Sequence, residues 1–369
     1  MDMTTVGAIF SCLQEWAPLR LAESWDNVGL LAGDAGAPVR KALVTLDITC
    51  AVCEEAASTG AELIVSHHPV IFRPLPSLRA EGVSAPVWRL ARHGLSAICM
   101  HTNLDIAEGG VNDALLAVLG LERTAILQPL GAFSYQKISV FVPKTHAAQV
   151  REAMAGAGAG RYAGYDSCAF ETPGTGYFRP LAGSRPFIGE QGHLQAAEEV
   201  RIEAICDMRD TARVLAAMKA AHPYEVPAYD LFEDQALQKP YGLGRVARLP
   251  VPVDPVVFAR QVRERLHAAG AAFYDAGRPV QTVAVCSGAW SGELTDAAVR
   301  AGADTVLTGE IKHSDILAVA AAGLNLVAAG HFATEQPVCP VLARRLTERF
   351  ADVSFTVAQS GTELLTYAD

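Results

Sequence analysis

Ser66-His67-His68-Pro69 sets two adjacent imidazoles directly after the apolar run Leu63-Ile64-Val65. Neutral imidazole is the commonest protein ligand for a metal ion. Adjacent residues in extended chain point to opposite sides, so His67 and His68 would not easily share one ion, and a pair of ions resolves that geometry. His101-Thr102-Asn103-Leu104-Asp105 follows a second apolar run and adds a carboxylate, Asp105, which alone would read as an ordinary helix N-cap. Gly330-His331-Phe332-Ala333-Thr334-Glu335 supplies an imidazole and a carboxylate at i and i+4, which share a face if a helix has begun there. Three imidazoles, two chelating or bridging carboxylates and a bridging water offer about nine bonds. That serves two ions at about four or five contacts each, roughly 3.5–4 Å apart. No thiolate is in the set, so zinc, manganese, iron and cobalt all fit.

All three motifs must sit at strand ends for this to work, and the chain around them reads that way. Ala42–Asp47 is an expected strand, Ala51–Ser58 a helix, Glu62–Val65 a strand, Ala85–His93 a helix and Ser96–Met100 a strand. The order returns near the C-terminus as strand Thr282–Cys286, helix Glu293–Arg300, strand Thr305–Leu307, helix Ser314–Ala322, strand Asn325–Ala328 and a helix from about Pro337. Strands alternating with helices predict parallel α/β sheets, whose ligands bind beyond the carboxyl ends of the strands. The two ends also match by letter. Thr59-Gly60-Ala61-Glu62 leads into Leu-Ile-Val-Ser as Ala301-Gly302-Ala303-Asp304 leads into Thr-Val-Leu-Thr, and His93-Gly94-Leu95-Ser96 answers Ala322-Gly323-Leu324-Asn325. Two similar halves facing each other would enclose a cleft.

The segment 132–235 carries its own repeat: strand Lys137–Val142, a helix from Ala147 and residues 161–166, then strand Val200–Cys206, a helix from Thr211 and residues 222–230. Two β-α-β units predict a ferredoxin-like (α+β) module, inserted between 1–131 and 236–369, with Gly174–Gly192 as an exposed hairpin or loop. The fold class expected is therefore α/β, two similar halves forming a three-layer core with this insertion. Gly242-Leu-Gly244-Arg-Val-Ala247 fits a loose dinucleotide pattern but follows Lys239-Pro240-Tyr241, not an apolar strand, so it reads as a plain turn.

Composition narrows the function classes. Thirty Lys and Arg against forty Asp and Glu give a net charge of -10, with no basic run, which disfavours sequence-general nucleic-acid binding. No basic leader and no uninterrupted 18-residue apolar stretch is present, so a soluble, cytoplasmic protein without a membrane segment is expected. Eight scattered cysteines read as reduced core thiols, the single Cys50-x-x-Cys53 included.

Together, Ser24-Trp25-Asp26-Asn27-Val28-Gly29-Leu30, Ser66-His67-His68-Pro69, His101-Thr102-Asn103-Leu104-Asp105, Gly242-Leu243-Gly244-Arg245, Thr308-Gly309-Glu310 and Gly330-His331-x-x-x-Glu335 resemble the NIF-three-like dinuclear metal-centre family, whose members are often labelled GTP cyclohydrolase I type 2 homologues. The resemblance spans nearly the whole chain. It implies that His67, His68, Asp105, His331 and Glu335 ligate two divalent ions, that subunits assemble as a toroidal homohexamer, and that the insertion is the signal-transduction-protein-like module of longer members. The family often has Asp or a further His around Glu310 and Ser314, so nothing is carried over to His313.

Two function classes follow. One is a metal-dependent hydrolase in which metal-activated hydroxide attacks carbon or phosphorus, with His101 or Glu310 as catalytic groups moving protons or as supports for the ligands. Counting ligands alone leaves the site near +2, which favours a nucleotide-like or phosphorylated small molecule, GTP being the substrate that the family label suggests. The other is a non-enzymatic metal-binding scaffold or metal-handling regulator, in which the module senses a small molecule or partner.

Overall fold

The computed structural model describes residues 3–162 and 164–366. The chain divides into two compact units, Met1–Leu130 with Tyr241–Asp369, and Gly131–Pro240. In the first unit one sheet has the order Gly29–Ala32, Ser96–Cys99, Leu63–Ser66, Lys41–Thr45, Ser354–Val357. Its strands are parallel except Gly29–Ala32, which runs antiparallel to Ser96–Cys99. The C-terminal half builds a second set in which Val280–Trp290, Thr305–Ile311 and Asn325–Ala328 are parallel, flanked by antiparallel partners from Tyr229–Val253 and Ala272–Tyr274. The parallel pattern expected from the sequence thus holds at the centre of each sheet, and antiparallel strands close edges.

Burial explains why the central strands read as unbroken apolar runs. Val283, Val285, Leu307 and Val327 pack on one side with Leu115 and Leu119 of helix Val111–Leu119 and with Phe258 and Val262 of helix Pro255–Arg265. Ala284, Cys286, Val306 and Leu326 pack on the other, against Leu294 and Ala298 of helix Gly292–Arg300 and Val319 of helix His313–Ala321. Each fully buried aliphatic side chain stabilises the fold by about 1.5–3 kcal/mol relative to exposure. Helix Cys50–Thr59 starts where Thr49 Oγ1 accepts the Val52 N–H at 3.2 Å. All eight cysteines are free, and Cys53, Cys99, Cys206, Cys286 and Cys339 are buried.

Strand register repeats between the halves as the sequence match requires. Leu63 to Ser66 lie opposite Ser96 to Cys99, and Thr305 to Thr308 lie opposite Asn325 to Ala328. One strand back, Thr45 faces Ser66 as Cys286 faces Thr308. Position 47 therefore corresponds to 288, and positions 67–68 to 309–310.

Gly242-Leu243-Gly244-Arg245 is neither a phosphate cradle nor a turn; it lies within strand Tyr229–Val253. Arg245 is 1% exposed. Its Nε and one Nη2 hydrogen pair bidentately with Asp113 at 2.9 and 2.8 Å, and its other donors reach the carbonyls of Gly242, Gly244 and Ala107 at 2.9–3.0 Å. All five guanidinium donors are used, so this arginine is a structural tie between the two halves of the unit.

The second unit reads strand, helix, strand, strand, helix, strand: the end of Glu122–Pro143, Ala147–Gly156, Ala169–Phe178, Gln195–Asp207, Thr211–Ala221 and the start of Tyr229–Val253. In order of occurrence its sheet runs 2-3-1-4, the ferredoxin-like arrangement. Residues 161–166 contribute only a Tyr162–Tyr165 bridge, and the expected strand falls at Ala169–Phe178 instead. That strand takes the first residues of the Gly174–Gly192 stretch because it is an edge, paired along one side to Gln195–Asp207, where Pro173 and two glycines are tolerated. Among the described residues no helix is long and apolar enough to cross a membrane.

Candidate metal centre

Each imidazole of the motifs is fixed through Nδ1. His67, fully buried, lies with Nδ1 2.8 Å from the Met100 carbonyl. A carbonyl only accepts, so Nδ1 carries the proton and Nε2 keeps its lone pair. His68 Nδ1 meets Asp47 Oδ1 at 2.8 Å, and His101 Nδ1 meets Asp26 Oδ1 at 2.8 Å. The other Asp26 oxygen accepts from the Thr102 N–H at 3.1 Å and hydroxyl at 2.5 Å. His331 Nδ1 is 3.2 Å from Glu310 Oε1. Nε2 of His67 and His331 faces inward with Nε2 of His68, where the rings pack with centroids 5.0–5.5 Å apart.

Ligand-capable atoms converge in three overlapping sets: His67, His68 and His101; His68, His331 and Glu335; His67, Asp105 and Glu335, the atoms of each lying within 4.8 Å of one another. Glu335 Oε2 is 2.9 Å from His68 Nε2 and 3.1 Å from His331 Nε2, while His67 Nε2 is 3.6 Å from Asp105 Oδ1 and 3.9 Å from Glu335 Oε1. Yet His67 Nε2, Asp105 Oδ1 and Glu335 Oε2 are buried without a hydrogen-bond partner. An unsatisfied buried polar atom costs about 1–3 kcal/mol, more when charged, so three together need an explanation. Nitrogen and oxygen donor atoms crowded on one shared point are what a cation would satisfy. The donor set fits a metal site.

Two glycines make the room. Gly288 has φ +64, and a Cβ there would collide with Glu335 Oε1 and lie 3.3 Å from His331 Nε2. At Gly309 a Cβ would sit 2.5 Å from the Gly288 carbonyl, 2.6 Å from Thr334 Oγ1 and 2.8 Å from His331 Cα. Helix His331–Glu335 packs onto these strand ends, and Thr334 Oγ1 accepts the Gly288 N–H at 3.1 Å.

Electrostatics follow from the crowding. Burial opposes charge on His68, but the Asp47 and Glu335 carboxylates outweigh it and push its pKa up to about 10. Glu335, against burial and helped by Glu310, pushes His331 up to about 9. Burial raises Asp105, whereas His331, His67 and His68 hold Glu335 well below the usual carboxylate range despite burial. Asp26 is lowered to about 2, because His101 and Thr102 overcome its burial.

The structure brings His67, His68, Asp105, His331 and Glu335 together, and His101 joins them as a ligand-capable group with its orienting partner Asp26. Glu310 touches His331 from outside the convergent set, and exposed His313 opens helix His313–Ala321 and belongs to none of the three sets. Sequence reasoning passed over Asp26, Asp47, Gly288 and Gly309 as functional positions. Asp26 lies within Ser24–Leu30, and Asp47 closes the expected strand Ala42–Asp47, which in the structure ends at Thr45, so both carry a signal. Beside the cluster opens a cleft of about 1360 Å³, lined by Asp47, His68, Glu310 and His331 and walled by Phe273 and Tyr274.

The same arrangement of sequence recurs in known proteins. A family model described as Duf34/NIF3 (NGG1p interacting factor 3) matches residues 4–363. A Halalkalibacterium halodurans protein named GTP cyclohydrolase 1 type 2 homolog is 37% identical over 372 aligned positions, covering 100% of both chains. A Bacillus subtilis protein of the same name is 36% identical, covering 95% of this chain and 94% of its own. The crystal structure of a Bacillus cereus protein related to NIF3 superposes with a TM-score of 0.88 at 33% identity over the full length of both chains. With its family match running almost end to end, the chain belongs to the Duf34/NIF3 family.

Proposed function

We propose that this protein is a metal-dependent hydrolase of small molecules built on two divalent ions per chain. The observation that carries the reading is the convergence of His67 Nε2, Asp105 Oδ1 and Glu335 Oε2, buried and unpartnered. His67, Asp105 and Glu335 would hold one ion, and His68 and His331 with Glu335 the other, with His101 beside His67 and His68. Bound there, such ions supply Lewis acidity toward a carbonyl or phosphoryl oxygen. The chain's own residues fix the rings through Asp47, Asp26, Glu310 and the Met100 carbonyl, and keep His67 and Glu335 out of bulk water. Glu310, with its side chain 63% exposed at the cleft, can take up or release a proton at its carboxylate. The relatives' name, GTP cyclohydrolase 1 type 2 homolog, supports hydrolysis as the reaction class. The homohexamer expected from the sequence belongs to the same proposal, with a light-scattering mass of six chains as its check.

Elemental analysis of protein purified with its native metals should give about two ions per chain, falling to near zero in a His68→Ala, His331→Ala double variant. Metal-dependent turnover lost in Asp105→Ala supports the hydrolase. Full metal loading with no turnover across nucleotides, phosphoesters and cyclic amides moves the reading to a metal-handling scaffold.

A further inference from the structure

The groups that orient the imidazoles alter the charge of the site. Ligands alone, two divalent ions over Asp105 and Glu335, would leave it positive and suited to a phosphate ester. Asp26, Asp47 and Glu310 add three carboxylates within hydrogen-bonding or ion-pair distance of the same rings. Five carboxylates against two divalent ions leave about one negative charge. The cleft continues the trend. Among the described residues no Lys or Arg lines it, and its carboxylates are Asp47, Glu310 and Glu363. Recognition of a triphosphate relies chiefly on Arg and Lys, and the helix start at the cleft, Thr49–Cys50, already has its Val52 N–H capped by Thr49 Oγ1. The walls are largely apolar, with Ile311, Ile316 and Leu326 in the lining beside the half-exposed rings of Phe273 and Tyr274. Carboxylates only accept hydrogen bonds, so the polar rim calls for N–H donors on the ligand.

Building on the hydrolase reading, we propose that the cleft takes an uncharged nitrogen heterocycle with a ring amide and N–H donors, and discriminates against the same ring carrying phosphates. In the reaction a water oxygen bonds to the ring carbonyl carbon, the ring C–N bond breaks and the leaving nitrogen takes the water's proton. No oxidant or reductant is needed.

The matched pair guanosine and GTP isolates the phosphates, and 5-phenylhydantoin tests the ring amide without ribose. Calorimetric titration into the zinc-loaded full chain, with metal content measured on the same samples, reads binding without turnover. Guanosine or phenylhydantoin should bind on the order of tenfold or more tighter than GTP, because like charges across a contact oppose binding strongly. Phe273→Ala should weaken the ring ligands about tenfold, as loss of an aromatic contact surface does; this side chain is 45% exposed, so its truncation leaves the fold intact. GTP binding tighter than guanosine, absence of binding by both uncharged rings, or an unchanged affinity in Phe273→Ala overturns the proposal. Ring binding without turnover in fully metal-loaded protein removes the hydrolase reading and leaves the ligand preference standing.

Discussion

The two halves of the first unit share a strand register and differ in what they hang on it. After Thr45 the N-terminal half places Asp47, which holds His68; at the corresponding position the C-terminal half has Gly288, whose missing side chain leaves space for Glu335. After Ser66 come His67 and His68, and after Thr308 come Gly309 and Glu310. At these positions one half projects two imidazoles and Asp47, and the other supplies room at two glycines and a single acceptor, Glu310. The next strand ends show a subtler offset. Helices Thr102–Ile106 and His331–Glu335 correspond, and each half has a His-x-x-x-acid pair, but His101 and Asp105 stand one residue earlier than His331 and Glu335. One residue is about 100° around a helix. The offset lets two copies of one scaffold aim different atoms at one point instead of presenting two copies of one site, so equivalent backbone positions do not imply equivalent roles.

The comparison breaks most severely where the halves are joined. Arg245 sends three of its five donors across to Asp113 and Ala107, and Arg245→Met should leave Asp113 with only the more exposed Arg123 at 3.3 Å as counter-charge, destabilising the protein by about 3 kcal/mol. Chemical denaturation checks this, and a loss under about 1 kcal/mol would mean the halves are held chiefly by packing.

The corresponding pair 47 and 288 sharpens it next. Asp47→Ala removes an orienting carboxylate and should weaken metal binding about 10–100-fold. Gly288→Ala should weaken it at least as much, since even a methyl group at φ +64 displaces Glu335. Competition with a metal-sensitive chelator dye measures both. Equal affinity of Gly288→Ala and the parent protein would show that the second half can shift to accept a side chain, against the division of labour drawn above.

Much of this is legible in the sequence. Helix Ala85–His93 and strand Asn325–Ala328 occupy the expected spans, because both are bounded by turn residues and carry the period of their element. The ligands were legible because parallel strands put side chains that follow an apolar run at one edge. Strand Thr282–Cys286 was read short; it extends as Val280–Trp290 through an irregularity after Cys286 that holds Gly288, and a glycine reads as a stop when its partner, Glu335, is 47 residues away. Arg245 looks like part of a turn for a related reason. Its partner Asp113 is 132 residues distant, and local pattern carries no signal for a buried ion pair of that separation.

The smallest effect separates the two orienting carboxylates at the cleft. Asp47 lies 2.8 Å from His68, whereas Glu310 lies 3.2 Å from His331 and is 63% exposed, so water screens it more. In metal-free protein His331 is raised to about 9, with Glu335 the leading cause and Glu310 a lesser one, and His68 to about 10, with Asp47 the leading partner. A histidine whose folded pKa lies above its unfolded value of about 6.5 stabilises the fold fully below that value, and the stabilisation is lost as pH rises through the folded pKa. Metal-free protein should therefore lose stability between about pH 6.5 and 10, a window that metal loading abolishes because bound imidazoles are already unprotonated. Glu310→Gln should bring the His331 titration down from about 9 by less than Asp47→Asn brings His68 down from about 10, and should weaken metal binding only a few-fold against the larger loss for Asp47. NMR titration of the two imidazoles in metal-free protein reads the shifts directly. If Glu310→Gln moves His331 as far as Asp47→Asn moves His68, the more exposed carboxylate orients as strongly as the half-exposed one, and the asymmetry between the halves rests on the glycines alone.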